Sequence, residues 1–193
     1  MLSKPNRKLK KTMKIHKGIT IYSFGLPARI TCPCAGACKK WCYGKRGKYG
    51  CETPKNKRAS NLIATVMPTF VDRMNDEISE LSAMYKHLYI RIHDTGDFYS
   101  IRYFECWLEI ARANPDVTFY GYTKCVGMFE NMKEQIPANM VFTMSYGGTQ
   151  DLFMSDDMKQ AKVFKKTVPE GWVDGSVDDL TMFTTDRIGL VYH

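Results

Sequence analysis

No apolar run in this 193-residue chain approaches the roughly 20 residues that a membrane-spanning helix needs. The N-terminus, MLSKPNRKLKKTMKIHK, does not read as a secretory signal either, so the expectation is a cytoplasmic protein in a reducing compartment. No internal repeat or low-complexity tract is present. Acid is nearly missing from residues 1–60, where Glu52 stands alone against sixteen Lys and Arg. The remaining 133 residues reverse the balance, with nineteen acids against twelve bases. Three readings of that asymmetry stand: an anionic partner such as nucleic acid, an internal match to an acidic surface, or a solvated basic tail. One more absence matters. No Cys-x2-Cys pair occurs anywhere, which removes the knuckle of most structural zinc sites.

What the chain does have is a crowd of cysteines. Between Thr31 and Cys51 (TCPCAGACKKWCYGKRGKYGC) lie Cys32, Cys34, Cys38, Cys42 and Cys51, five of the seven. Thiolates this dense, carried on Pro33, Gly36, Gly44, Gly47 and Gly50, suit a soft-metal site around which the backbone can fold. A disulfide framework fits badly, because the cysteine count is odd and the chain is long enough to build a real core. Cys32-x5-Cys38-x3-Cys42 is the preferred ligand set, with Cys34 and Cys51 competing for a fourth place. The wide, irregular spacing favours a [4Fe–4S] cluster over zinc, because the iron corners of a cubane lie apart from one another. Three ligands would leave one iron open to a small molecule.

The rest of the chain reads as strands alternating with helices. Residues 1–17 form a basic arm with little apolar periodicity. Ile19 to Phe24 alternates as a strand, stopped by Gly25 and Pro27. From Lys57 to Lys86 apolar residues recur at helical spacing, with Pro68 expected to kink or split the helix. Strands follow at Leu88–His93, Val117–Thr123 and Met140–Ser145. Between them come a helix capped by Ser100 and closed by Asn114-Pro115, and a short helix at Met128–Ile136. Ala161–Val168, Leu180–Thr185 and Ile188–Tyr192 are weaker apolar runs. The expectation is one α/β domain over residues 1–193: a mainly parallel sheet or partial (β/α) barrel, with an N-terminal basic arm and a cysteine-rich loop (31–51) after the first strand.

In such folds ligands sit at the C-terminal ends of the strands. The cysteine loop, His93 to Asp97, Thr123 to Cys125 and Ser145 to Gly148 all fall there. His93, Asp97 and Lys124 are therefore the candidate catalytic residues, and Gly96, Asp97 and Ser145 the candidate cofactor contacts. His93 and Asp97 each have a plainer reading, a satisfied polar histidine and an Asp capping the next helix; Lys124 is placed to fix an anion. Trp41, Tyr43 and Tyr49 interleave with Lys39, Lys40, Lys45, Arg46 and Lys48, a mixture suited to stacking on bases with phosphate contacts, or to shielding a cluster.

Several motifs, in order along nearly the whole chain, resemble the bacteriophage gene product 88 family. They are Asn6-x-Lys8-Leu9, Ser23-Phe24-x-Leu26-Pro27 before Thr31-Cys32-Pro33, Cys38-x3-Cys42-Tyr43 and Asn61. Arg91-Ile92-His93-x-x-Gly96-Asp97-Phe98-Tyr99-Ser100, Phe119-Tyr120-x-Tyr122-Thr123-Lys124 and Gly175-x-x-Asp178-Asp179-Leu180 continue the series. The resemblance implies a phage-encoded protein in the host cytoplasm, with Cys32, Cys38 and Cys42 as the family cysteines and Cys34 at a position where glycine is usual. The layout also looks like that of radical S-adenosylmethionine proteins, where three cysteines hold a [4Fe–4S] cluster whose open iron takes the cofactor. The spacing in that class is C-x3-C-x2-C, from which this chain departs; Gly96-Asp97 falls where the class places a glycine–acid motif. Two functions follow as expectations: a cluster protein with an open iron and S-adenosylmethionine-like chemistry, or a non-catalytic nucleic-acid- or protein-binding module with a structural iron–sulfur or zinc site.

Overall fold

Parallel strands cannot be joined by tight turns, so each neighbouring pair here requires a crossover. The computed structural model describes residues 1–45 and 47–191. In it, β1 (Thr20–Phe24), β2 (Leu88–Ile92), β3 (Thr118–Thr123), β4 (Met140–Ser145), β5 (Gln160–Phe164), β6 (Val173–Asp174) and β7 (Arg187–Val191) form one parallel sheet. The order is β1-β2-β3-β4-β5-β7-β6. The first five strands are laid down in chain order without reversal. Because crossovers share one hand, such an order sends successive helices to the same face, and the sheet curls into a half-barrel with helices outside.

The helical stretch before β2 is two helices, α2 (Glu52–Thr65) and α3 (Phe70–Met84), separated at Pro68 as its missing N–H requires. Helix α4 (Ile101–Ala113) starts where Ser100 accepts a hydrogen bond from the Tyr103 amide at 3.2 Å. The short α5 (Val126–Asn131) precedes β4. These helices pack Phe70, Met74, Ile78, Tyr103, Phe104 and Trp107 onto Phe24, Ile90, Phe119 and Phe142 of the convex face. Among the described residues no helix is long and apolar enough to cross a membrane.

The concave face has a separate filling, and here the N-terminal segment differs from a loose arm. Residues Arg7–Ile15 form a helix, α1, capped by Asn6, whose side chain accepts from the Leu9 amide at 3.0 Å. Leu9 is fully buried and joins Ile21, Tyr120, Ala161, Leu180, Met182 and Ile188 in an inner core. The apolar run expected over Leu180–Thr185 falls on a 3₁₀ turn, Asp179–Phe183, on the same side. Upstream of α1, Ser3 and Ser23 exchange two backbone hydrogen bonds of 2.7 and 3.0 Å, which cover the free edge of β1. Strand β6 left no signal in the sequence, and the expected end of the last strand, Tyr192, lies outside the described residues, as do Arg46 and His193.

Candidate functional site

The cysteine loop follows β1 and is built from short 3₁₀ turns at Ala37–Trp41, Tyr43–Lys45 and Gly47–Gly50. Backbone bonds to two other strand ends hold it in place. On one side Leu26 donates to Thr95 at 2.8 Å and Asp97 donates to Thr31 at 3.0 Å. Gly96, at φ 89°, makes that approach possible: a Cβ there would come within 2.6 Å of the Leu26 Cβ and 2.7 Å of Thr31 Oγ1. On the other side the amides of Gly36 and Cys38 share the Gly147 carbonyl at 3.2 and 3.1 Å, and Thr149 donates to Cys34 at 2.8 Å. The loop thus bridges the ends of β2 and β4.

Inside that frame the five loop cysteines separate into two groups. Cys32, Cys38 and Cys42 line one cavity of about 430 Å³, together with His93, Gly96, Asp97, Lys124 and Ser145. Cys34 does not line it. Its thiol packs against the outer core on the side of Cys125, whose own thiol donates to the Phe98 carbonyl at 3.2 Å. Cys51 is exposed at the start of α2, also outside the cavity lining. All seven cysteines are free thiols. Among the described residues no group of three or more His, Cys, Asp or Glu side chains is close enough to hold a single metal ion. Burial pushes the Cys32 thiol up to about 11 and raises that of Cys38, against which the ammonium of Lys124 acts.

The candidate polar residues surround the thiols, and most are already engaged. Asp97 is buried, with Oδ1 accepting from Thr123 Oγ1 at 2.7 Å and from the Phe98 amide at 2.9 Å. Its Oδ2 accepts from the Lys124 amide at 2.9 Å. The carboxylate therefore pins the turn after β2 to the end of β3, while Ser100 caps α4. Burial raises its pKa and these three donors oppose the rise. Lys124 donates through Nζ to Ser145 Oγ at 2.7 Å, Ser145 O at 3.2 Å and Tyr146 O at 2.9 Å. All three ammonium hydrogens are accounted for at the end of β4. His93 is buried in a left-handed backbone conformation, φ 62°, with Nε2 at 2.9 Å from the Tyr103 hydroxyl and no partner for Nδ1. Burial alone lowers its pKa to about 3, so the ring is neutral.

At the far end of the same cavity, sequence reasoning gave Tyr43 and Tyr49 a stacking or shielding role and gave none to Lys8, Arg91, Tyr122 and Asp179. Asn6, Lys8, Tyr43, Tyr49, Arg91 and Tyr122 line it. Asp179, fully buried, receives two bonds of 2.9 and 2.8 Å from Arg91 Nη1, one of 3.1 Å from Tyr120 and an ion pair of 2.8 Å from Lys8. Arg91 and Lys8 hold its pKa below the ordinary carboxylate value against the effect of burial. One signal was available: a lone arginine within the apolar strand LYIRI. A charge at such a position needs a buried partner.

Compared with known proteins, residues 1–188 match the family described as Gene product 88. The chain belongs to that family. It is 33% identical over 118 residues to the Gene 88 protein of Mycobacterium phage L5, covering 53% of this chain and 47% of the relative. The chain thus spans about half the length of that relative. No solved structure matches it. The match runs through the loop, the turn after β2, Arg91 and Asp179, and so takes in the cavity lining except Leu190 and Val191.

Proposed function

We propose that this Gene product 88 member binds one [4Fe–4S] cluster, which Cys32, Cys38 and Cys42 would hold, leaving one iron open to a small ligand. One observation carries the reading. Of five crowded cysteines, these three line a common cavity at the C-terminal edge of a half-barrel, while Cys34 and Cys51 lie elsewhere. Thiols spread around a hollow suit a cluster better than a single tetrahedral zinc, whose four ligands must converge to about 2.3 Å from one point. Bound there, a cluster supplies an electron and an open coordination position to a small ligand, for which S-adenosylmethionine is the candidate.

The chain's own groups divide the remaining work. Lys124, beside Cys38, favours thiolate at that position. Asp97 and Lys124 hold the ends of β2, β3 and β4 at fixed separation, and Gly96 lets the thiol loop close onto them. They act as positioning residues, because their polar atoms are already engaged by protein. His93, neutral and buried, offers Nδ1 as a free acceptor or donor at the cavity wall.

Anaerobic purification tests the reading. The protein is expected to be brown, with about four irons and four sulfides per chain. Cys32→Ala, Cys38→Ala and Cys42→Ala each lose the colour, whereas Cys34→Ala and Cys51→Ala keep it. Colourless protein carrying one zinc, or equal loss in all five variants, sinks the proposal.

A further inference from the structure

The far end of the cavity holds charged and polar groups that the protein itself does not complete. Both bonds from Arg91 to Asp179 start from one nitrogen, Nη1. The opposite edge of the guanidinium, Nε with Nη2, is the edge that grips a carboxylate or phosphate through two parallel bonds. Its Nε is buried and has no hydrogen-bond partner. Tyr122 is in the same condition: its ring lies 5.5 Å from the Arg91 guanidinium carbon, and its hydroxyl is buried with no partner. A buried donor or hydroxyl left without a partner bears its full desolvation penalty. Two of them on adjacent side chains lining one cavity call for an acceptor from outside.

The ion pairs of this end leave that edge of Arg91 free. Among the described residues Asp179 is the carboxylate paired with both Arg91 and Lys8. Asp178 is engaged by His16 at 2.7 Å, and Asp94 faces Arg58 at 3.5 Å. The walls are aromatic: Tyr43 and Tyr49 meet edge to face with centroids 5.6 Å apart, and Tyr49 is fixed by Asn6 at 3.1 Å.

We propose that this end of the cavity binds a small ring-bearing oxyanion, a carboxylate or a phosphate ester, through the Nε–Nη2 edge of Arg91 and the hydroxyl of Tyr122. Tyr43 and Tyr49 form the wall for the ring. A cavity of about 430 Å³ accommodates a ligand of that size. The binding relies on protein groups alone and stands with or without iron at the thiols. That the same ligand is what a cluster would act on rests on the reading above.

Isothermal titration with benzoate, phenyl phosphate and neutral benzamide tests the site, on the full chain in iron-free and iron-containing form. One-to-one saturable binding of at least one anion is expected, with benzamide at least about tenfold weaker. A preference for benzoate assigns a carboxylate ligand, and a preference for phenyl phosphate a phosphate ester. Tyr122→Phe should weaken the anion about tenfold without lowering the unfolding temperature, because the hydroxyl it removes has no partner in the free protein. Arg91→Lys keeps the charge, loses the fork and should abolish binding; should it fail to fold, Tyr122→Phe carries the test. No saturable heat with either anion, equal binding of benzamide, or unchanged affinity in Tyr122→Phe overturns the proposal. A colourless protein that still binds the anion overturns only the cluster.

Discussion

At His93 a left-handed backbone, a buried ring and an unpartnered nitrogen occur together. The ring sits among Phe24, Phe98 and Tyr103, with centroids 6.5, 4.6 and 5.7 Å away, so protonation would place a charge among aromatic carbons. This makes His93 a source of acid sensitivity. Its pKa is 6.5 unfolded and about 3 folded, so between those values the unfolded chain binds a proton that the folded chain does not. Stability from this residue is therefore lost as pH falls through that window, with a slope of up to about 1.4 kcal/mol per pH unit. His93→Asn tolerates the backbone conformation and cannot titrate. Urea unfolding midpoints at neutral and acid pH are expected to fall more steeply for the parent than for the variant. Parallel pH profiles would show that the ring does not titrate on unfolding.

Helix α1 shows how one element serves two charge environments. Its inward side places Leu9 and Thr12 in the inner core and Lys8 on Asp179, while Thr12 Oγ1 accepts from the Asp179 amide at 2.8 Å. Its outward side exposes Arg7, Lys10, Lys11 and Lys14 to solvent, as the loop does Lys39 and Lys40. Thus the internal match to an acid and the solvated cations, which as sequence readings compete, occupy different faces of one helix. The exposed cations carry the proposal that this end engages nucleic acid. Single-stranded DNA binding should weaken steeply with salt. Lys10→Gln, Lys11→Gln and Lys14→Gln together should flatten the log–log slope by up to about 0.7 for each phosphate no longer neutralised. Thermal stability should stay unchanged, since none of the three is buried. Absence of binding at low salt, or an unaltered slope, would leave these lysines as solubilising charge.

For the whole molecule, the two cores and the thiol loop are separable. The outer core joins α2, α3 and α4 to the sheet, the inner core joins α1 and the 3₁₀ turn Asp179–Phe183 to it, and neither contains Cys32, Cys38 or Cys42. If a cluster binds only the folded chain, stripping the iron should lower the unfolding temperature by mass action while the far-UV dichroism of the sheet and helices persists. A collapse of the dichroism on chelation would mean that the metal organises the fold itself. No change in unfolding temperature would mean that the iron was not bound at a folded site.

Much of this architecture was legible because it is local. Alternation over Ile19–Phe24, Leu88–His93 and Val117–Thr123, together with Met140–Ser145, marked four of the strands, and the N-cap at Ser100 lay where the residue type required. The parallel, curled sheet followed from the alternation of strands with helices, and so did the edge where the notable residues gather. The helix over Arg7–Ile15 was missed because its inward apolar residues are only Leu9 and Met13, and five lysines and arginines mask the pattern. Strand β6 is two exposed residues long and has no periodicity to read.

What spacing along the chain could not decide was which thiols share a cavity. Cys32, Cys34 and Cys38 are separated by a few residues each, and only the pairing of Gly36 and Cys38 with Gly147, over a hundred residues away, turns Cys34 down toward Cys125 and leaves the others at the hollow. The triad Lys8, Arg91 and Asp179 is of the same kind. Its members lie on a helix, a strand and a 3₁₀ turn distant in sequence, and a buried charge finds its partner through space, where local pattern carries no information. The sequence by itself therefore determined the first four strands and the helices between them, the parallel sheet and the edge at which the candidate residues gather. The tertiary structure alone decided which side chains face one another across that edge, because long-range packing, not period, sets their distances.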